Sequence, residues 1–270
     1  MPEVLRRAGS GIRRWLQLEH ARSDCGRGDL AATLLHAEVI RRKKFLRRLY
    51  RDYYRLLQSR LPGAETPARI VELGSGGGFI KAVIPGVVTS DVLALPGTDL
   101  CFSALEMPFR DASVDAFVMV NVFHHLPDVR RFLRQVDRSL RAGGKVVMIE
   151  PANTPLARWI YRRFHHEPFD PGASWGFDGD RPLWDANGAI PWIVFSRDRR
   201  QFEREFPALS IVSVDNHSPL RYLASGGVSM RQLLPTWTYG LVVGLERLLA
   251  PLHDWTGLFQ TIELRKGGAS

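Results

Sequence analysis

Short apolar runs alternate with helical periodicities along much of the chain, and glycine or acidic residues punctuate the junctions. Ile70-Val71, Val87-Val88-Thr89-Ser90-Asp91, Val114 to Asn121 and Lys145 to Pro151 read as strands. The last two hold continuous apolar runs, Ala116 to Val120 and Val146 to Ile149, as strands buried on both faces do. Between them, Asp128 to Leu140 carries apolar residues at 129, 132, 133, 136 and 140, a helical period that Gly143-Gly144 stops. Leu209 to Asp215 and Phe259 to Arg265 alternate and predict two later strands, with Lys266 to Ser270 a fraying end. Strands of this kind interleaved with helices predict an α/β protein.

Two further stretches have a periodicity that needs a partner. From about Leu34 to Leu61, Val39, Leu46, Leu49, Tyr50, Tyr53, Leu56 and Leu57 fall on one side of a single predicted helix. Arg41, Arg42, Lys43, Lys44, Arg47, Arg48, Arg51 and Arg55 fill most of the rest, so the helix is amphipathic and basic. One reading makes it a cap over a ligand site with solvated charges; the other brings it to an anionic membrane or a phosphate-bearing substrate. Leu233 to Leu245 carries no charge and is too short to span a bilayer, which needs about 20 apolar residues. It reads as a buried helix or tunnel lining, with shallow membrane insertion beside the basic helix as the alternative.

Composition bounds the class of protein. The chain has 270 residues, 45% of them apolar, and a formal net charge of +9, which fits one large catalytic domain with additions. Cys25 and Cys101 have neither metal-ligand spacing nor disulfide density, and Met1 to Gly11 has charge without an apolar core. The expectation is therefore a cytoplasmic protein, peripheral to a membrane in the alternative reading, and no metal ligand is assigned. Nothing in the sequence speaks to oligomeric state.

The chemistry begins at Glu72-Leu73-Gly74-Ser75-Gly76-Gly77-Gly78, directly behind the first apolar pair. Glycines at 74, 76 and 78 allow a sharp strand-to-helix turn against which a ligand can pack closely. The dinucleotide spacing Gly-x-Gly-x-x-Gly fails in both registers, because the third position falls on Phe79 or Lys81. Glu-x-Gly-x-Gly-x-Gly instead resembles the first motif of the class I S-adenosylmethionine-dependent methyltransferases. Asp91, 19 residues after Glu72, stands where a doubly wound fold places a ribose-binding carboxylate. Ser103-Ala104-Leu105-Glu106-Met107-Pro108-Phe109-Arg110-Asp111 resembles that family's adenine-flanking segment, with Ser103 in place of its usual Asp. His124-His125-Leu126, Leu140 to Gly144 and Glu150-Pro151 resemble its later landmarks in order.

The resemblance implies a Rossmann-like, doubly wound, mostly parallel seven-stranded sheet with an N-terminal helical cap and a C-terminal lid region. It implies S-adenosylmethionine as cofactor and S-adenosylhomocysteine as product. Glu72, Gly74, Ser75, Gly76, Gly78, Asp91, Ser103, Ala104, Leu105 and Asn121 would line the cofactor. The expected organisation is a cap over 1–64, a cofactor-binding core over 65–151, a lid and substrate region over 152–208, and remaining strands with the apolar helix over 209–270.

Specificity is expected beyond Glu150. Ile160 to Asp170 concentrates proton-exchanging groups, and Trp175, Phe177 and Trp184 follow among prolines and glycines, which predicts an ordered lid or pocket wall. Arg197, Arg199 and Arg200 read as the start of an exposed helix with Phe202 and Phe206 inward, rather than as an anion site. Asn216 and His217 should reach the ligand-binding edge of the sheet. For a hydroxyl acceptor a general base near neutral pKa helps, so His124, His125, His165 and His166 are the candidates, with Glu167 beside the last two and Glu150 orienting an acceptor or a histidine. His165 and His166 rank first by a narrow margin, and structural roles for His124 and His125 stay open. Asn121 is followed by Val122-Phe123-His124 rather than the Pro-Pro-aromatic of base-amine methylation, and no RNA-binding module is visible. The reading therefore favours methyl transfer, at oxygen, to a small-molecule, amphiphilic, lipid-linked or glycan acceptor over nucleic acid. A non-methylating reaction on the bound cofactor and a non-catalytic membrane-associated binding protein are the other two readings.

Overall fold

A computed structural model describes residue 18 and residues 29–61, 68–165, 167–179 and 185–268. His166 and Trp184 lie outside the described residues. In chain order the elements are helices α1 (Asp29–Arg42) and α2 (Lys44–Arg60), strands β1 (Ile70–Glu72), β2 (Val88–Asp91), β3 (Leu100–Cys101) and β4 (Val114–Val120), then helix α3 (Val129–Ser139). They continue through β5 (Leu140–Pro151), α4 (Pro155–Phe164), α5 (Ile190–Trp192), α6 (Arg199–Glu205), β6 (Leu209–His217), α7 (Pro219–Ser225), α8 (Tyr239–Leu248), α9 (His253–Thr256) and β7 (Phe259–Lys266).

The seven strands form one sheet in the order β3-β2-β1-β4-β5-β7-β6. β1 pairs in parallel with both β2 and β4, while β7 runs antiparallel to β5 and β6. Chain order reverses between β1 and β4, and open α/β sheets bind ligands at the strand ends beside such a reversal. The expected doubly wound, mostly parallel sheet is present. In β4 every residue from Val114 to Met119 is buried, as the apolar run from Ala116 requires, and the buried Asp115 accepts from the Arg69 amide at 2.6 Å. Helix α3 starts where Asp128 accepts a hydrogen bond from the Arg131 amide at 2.9 Å, and it buries Val129, Phe132, Leu133 and Val136 against the sheet.

Three expectations change. The single basic helix is two helices, broken at Lys43, whose backbone is extended. The Lys43 ammonium reaches the carbonyls of Gly227 and Met230 at 2.6 and 2.7 Å, and burial pushes its pKa down to about 8. Its side chain ties the cap to the loop after α7, and the break lets α2 bury Phe45 and Tyr54 as well as the predicted stripe. Strand β3 is two exposed residues, too short for a sequence pattern. The apolar segment around α8 is not buried: Trp237, Leu241, Leu248 and Trp255 are 76%, 69%, 79% and 66% exposed. The cause is Glu246, which turns inward, accepts from the amides of Leu220 and Arg221 at 2.8 and 2.7 Å and pairs with the Arg221 guanidinium. Anchoring the one acid on the inner face rotates the leucines outward.

The described residues after α4 form a wall tied to the core. Asp128 and Gly176 form an isolated bridge, and Gly176 sits so near Pro127 that a Cβ would meet its carbonyl oxygen at 2.3 Å. The Asn187 side chain holds both the amide and the carbonyl of Asp170, at 2.9 and 3.0 Å. Trp175 donates to Asp198 at 2.9 Å under the Arg130 guanidinium. Arg197 pairs with Asp198 and Arg199 with Glu203, while Phe202 and Phe206 are buried, so this stretch is the predicted exposed helix and not an anion site.

Candidate active site

A cavity of about 700 Å³ opens at the C-terminal ends of β1, β2, β4 and β5, within the usual range for small-molecule sites. One side is the glycine turn. Gly74 and Gly76 adopt positive φ, of 63° and 49°, which a side chain would strain. A Cβ on Gly74 would lie 2.5 Å from the Val122 side chain, whereas Gly76 faces open space. Gly77, which the ligand argument leaves unexplained, packs against α1: its Cβ would meet the Ala37 Cα at 2.4 Å. Gly78 lies equally close to the Tyr54 hydroxyl of α2.

Asp91 caps the turn. One oxygen accepts from the Gly76 amide at 2.8 Å and the other from Leu93 at 3.0 Å. Glu72 is buried at the end of β1, and burial pushes its pKa up to about 7 against the pull of the neighbouring Ser75 hydroxyl. Its Oε2 has no partner at hydrogen-bond distance, and neither has Oδ1 of Asn121, which follows β4 in a left-handed conformation at φ 57°. Ser103, Ala104 and Leu105 close the cavity's β3 edge, where the Ser103 hydroxyl accepts from the Leu105 amide at 3.2 Å.

The other side is a cluster of histidines and carboxylates. Glu150 is fully buried at the end of β5; one oxygen accepts from the amides of Val122 and Phe123 at 2.9 and 2.8 Å, and the other lies 2.6 Å from Nδ1 of His124. Nε2 of His124 is 3.3 Å from Glu167, and Nε2 of His125 is 3.7 Å from the other oxygen of Glu167. His165 brings Nδ1 to within 3.6 Å of Glu167 and within 3.3 Å of its backbone amide. Burial alone would depress the pKa of His124, but the carboxylates of Glu150 and Glu167 outweigh it and raise it to about 10. Burial and the neighbouring His124 push His125 down to about 4. The histidines hold Glu167 well below the usual carboxylate range despite its burial. With nothing bound between them, the two carboxylates favour the imidazolium of His124, while burial favours the neutral ring of His125.

All the cofactor-side residues expected from the sequence line this one cavity, and His124, His125 and His165 line it too. Glu150 stands behind His124 rather than in the cavity wall. His217 is elsewhere: it bonds Ser218 and Thr261 at 2.8 Å each, packs edge-on against Tyr53, and burial lowers its pKa to about 3. Sequence reasoning missed Thr33 and His36 of α1, the tyrosines 50, 53, 161 and 222, and Met230. Only the inward face of the basic helix hinted at them.

Residues 83–148 match a family model described as a methyltransferase domain. The crystal structure of an S-adenosylmethionine-dependent methyltransferase from Archaeoglobus fulgidus superposes with a TM-score of 0.50 at 14% identity, over 82% of this chain and 94% of that one. A second such methyltransferase, from Mesorhizobium loti, has a TM-score of 0.44 at 18% identity over 78% and 96%. The geranyl diphosphate C-methyltransferase of Streptomyces coelicolor A3(2) has 0.46 at 15% over 80% and 75%. The archaeal structure carries the comparison of folds. Strand order and the matched segment show the fold that S-adenosylmethionine-dependent methyltransferases share.

The residues present fit that cofactor. The side-chain-free turn leaves room against its backbone, and the unpartnered oxygens of Glu72 and Asn121 suit the cofactor's ammonium.

Proposed function

We propose that the protein methylates a hydroxyl of a small, polar-headed acceptor. Glu72, Gly74, Ser75, Gly76, Gly78 and Asn121 hold the methionine part of the cofactor, Asp91 its ribose, and Ser103, Ala104 and Leu105 flank its adenine. When bound, S-adenosylmethionine supplies a methyl group already activated on sulfur, so the C–S bond breaks as the new C–O bond forms. The chain's own contribution is positioning and a route for the hydroxyl proton. The Glu150–His124–Glu167–His125 cluster receives the hydroxyl and assists its deprotonation, with His165 at the rim. The observation that carries this reading is that the glycine turn and the cluster open onto one cavity.

The acceptor is lipid-linked or otherwise amphiphilic in this reading. The exposed face formed by Leu241, Leu245 and Leu248, spaced 4 and 3 residues apart on α8, supports it. Beside it runs the basic face of α2, where Arg48 donates to the Thr236 carbonyl at 3.3 Å and lies over the Tyr239 ring. Apolar anchors beside cations suit the surface of an anionic membrane. Among the described residues no helix is long and apolar enough to cross one.

The test is calorimetry with S-adenosylhomocysteine followed by transfer of labelled methyl from S-adenosylmethionine to candidate hydroxylated acceptors. Tight binding with labelled product supports the reading. Tight binding with consumption of acceptor but no methyl incorporation would move the protein to a non-methylating reaction.

A further inference from the structure

The tautomers of two histidines are fixed by what their Nδ1 atoms face. A carboxylate oxygen of Glu150 lies 2.6 Å from Nδ1 of His124, and the Asp185 carbonyl lies 3.2 Å from Nδ1 of His125. Both oxygens accept hydrogen bonds, so each Nδ1 carries the hydrogen. Glu150 cannot turn away, because its other oxygen is held by the Val122 and Phe123 amides. Each neutral ring therefore presents the lone pair of Nε2, and both lone pairs point at the Glu167 carboxylate, at 3.3 and 3.7 Å.

Three electron-pair donors from two chain segments thus converge, with all their ligand atoms within 4.8 Å of one another. An ion bonded at about 2.1 Å spaces its neighbouring ligands by about 3.0–3.4 Å, and the two Nε2 atoms already stand 3.3 and 3.7 Å from the Glu167 oxygens, so a small inward shift of the three donors would seat it. Nδ1–H groups anchored on a carboxylate and on a backbone carbonyl are the outer partners that metal-binding histidines use to fix ring orientation. The donors border the cavity, which leaves coordination positions open to a bound molecule.

We propose that Nε2 of His124, Nε2 of His125 and the Glu167 carboxylate form a site for one divalent first-row transition-metal ion, whose open positions take the acceptor's hydroxyl oxygen. Two imidazoles and one carboxylate select such ions over magnesium and calcium, which prefer all-oxygen sites. The proposal rests on the reading of this cavity as the acceptor site and specifies how the cluster works. The metal-bound hydroxyl loses its proton to water in the cleft, and the resulting oxygen lone pair makes the C–O bond while the C–S electrons stay on sulfur. A proton on His124 Nε2 shared with Glu167 is the competing occupant.

The experiment titrates cobalt(II), and separately zinc(II), into chelator-stripped full-length protein by calorimetry, with the cobalt visible spectrum as the coordination readout. S-adenosylhomocysteine affinity is measured on every sample as the fold control. The expected result is one equivalent of metal per chain with a spectrum of nitrogen and oxygen coordination. Glu167→Gln and His125→Asn should each weaken it by about a hundredfold and Glu150→Gln by roughly tenfold, with S-adenosylhomocysteine affinity within about threefold of wild type. No binding up to millimolar metal in protein that binds S-adenosylhomocysteine would overturn the proposal and leave the proton as occupant. Metal binding that survives both Glu167→Gln and His125→Asn would place it elsewhere and overturn it equally. Failure of S-adenosylhomocysteine to bind wild type counts against the cofactor site instead.

Discussion

The two sides of the cavity are made in opposite ways. The glycine-turn side is mostly backbone from residues 72–91, with Asp91 bonded back to the Gly76 amide, and Ser103 to Leu105 and Asn121 complete it. The acceptor side is made of side chains from separated segments, at His124 and His125, Glu150, and His165 and Glu167, held together by charge. A backbone mould fixes one shape, whereas a charge cluster changes with each substitution. The mould belongs to the shared fold, and under the proposed function the cluster sets the acceptor.

The sharpest break in that comparison is Gly76→Arg, which projects a long side chain into the cavity from a position with open space and positive φ. S-adenosylhomocysteine affinity measured by calorimetry should fall at least about a hundredfold. An affinity within threefold of wild type would remove the turn from the cofactor site. On the opposite side, His125→Ala should lower kcat by about a hundredfold, with S-adenosylhomocysteine affinity nearly unchanged. A parallel loss of both would show that the two sides are not separable.

A smaller effect probes the buried acid. The folded protein holds a proton on Glu72 up to about pH 7, while an unfolded chain releases it near 4.5. Between those values the native state binds more protons, so this group's contribution to stability falls as pH rises, and the full penalty stands above pH 7. Glu72→Gln should therefore stabilise the cofactor-free protein by roughly 2 kcal/mol at pH 8 and by much less at pH 5, while weakening cofactor binding. Equal shifts in Tm at both pH values would count against the assignment. The smallest effect on the cavity is expected from Trp237→Ser combined with Leu241→Ser and Leu248→Ser. Partition onto vesicles containing phosphatidylglycerol should drop about tenfold without altering S-adenosylhomocysteine affinity. Vesicle binding equal to wild type would leave the exposed leucines without a membrane role.

Legibility in the sequence follows the same divide. The turn, Asp91 and the strand runs were readable because backbone constraints act between near neighbours and leave periodic or glycine-spaced traces. The sequence offers Glu150 as orienting an acceptor or a histidine; that the histidine is His124, 26 residues away, shows only once β4 and β5 pair. His165 reaches the same cluster, with Nδ1 3.6 Å from the Glu167 carboxylate and 3.3 Å from its backbone amide, and His166 is outside the described residues. Helix α8 misled because hydrophobicity alone predicts burial, and the inward pull of Glu246 on Arg221 is invisible without the fold. The break at Lys43 was hidden for a related reason, since its partners, Gly227 and Met230, come from the far end of the chain.

Gly77 carries a consequence of its own. Its neighbours 76 and 78 look alike in the sequence, yet position 76 borders vacant volume and position 77 touches the backbone of α1 at Ala37. One glycine is therefore spaced for the cavity and the next for the chain's own roof. A single methyl added at 77 would press on that roof at Ala37, so a stretch that resembles a binding signature also carries the packing of α1.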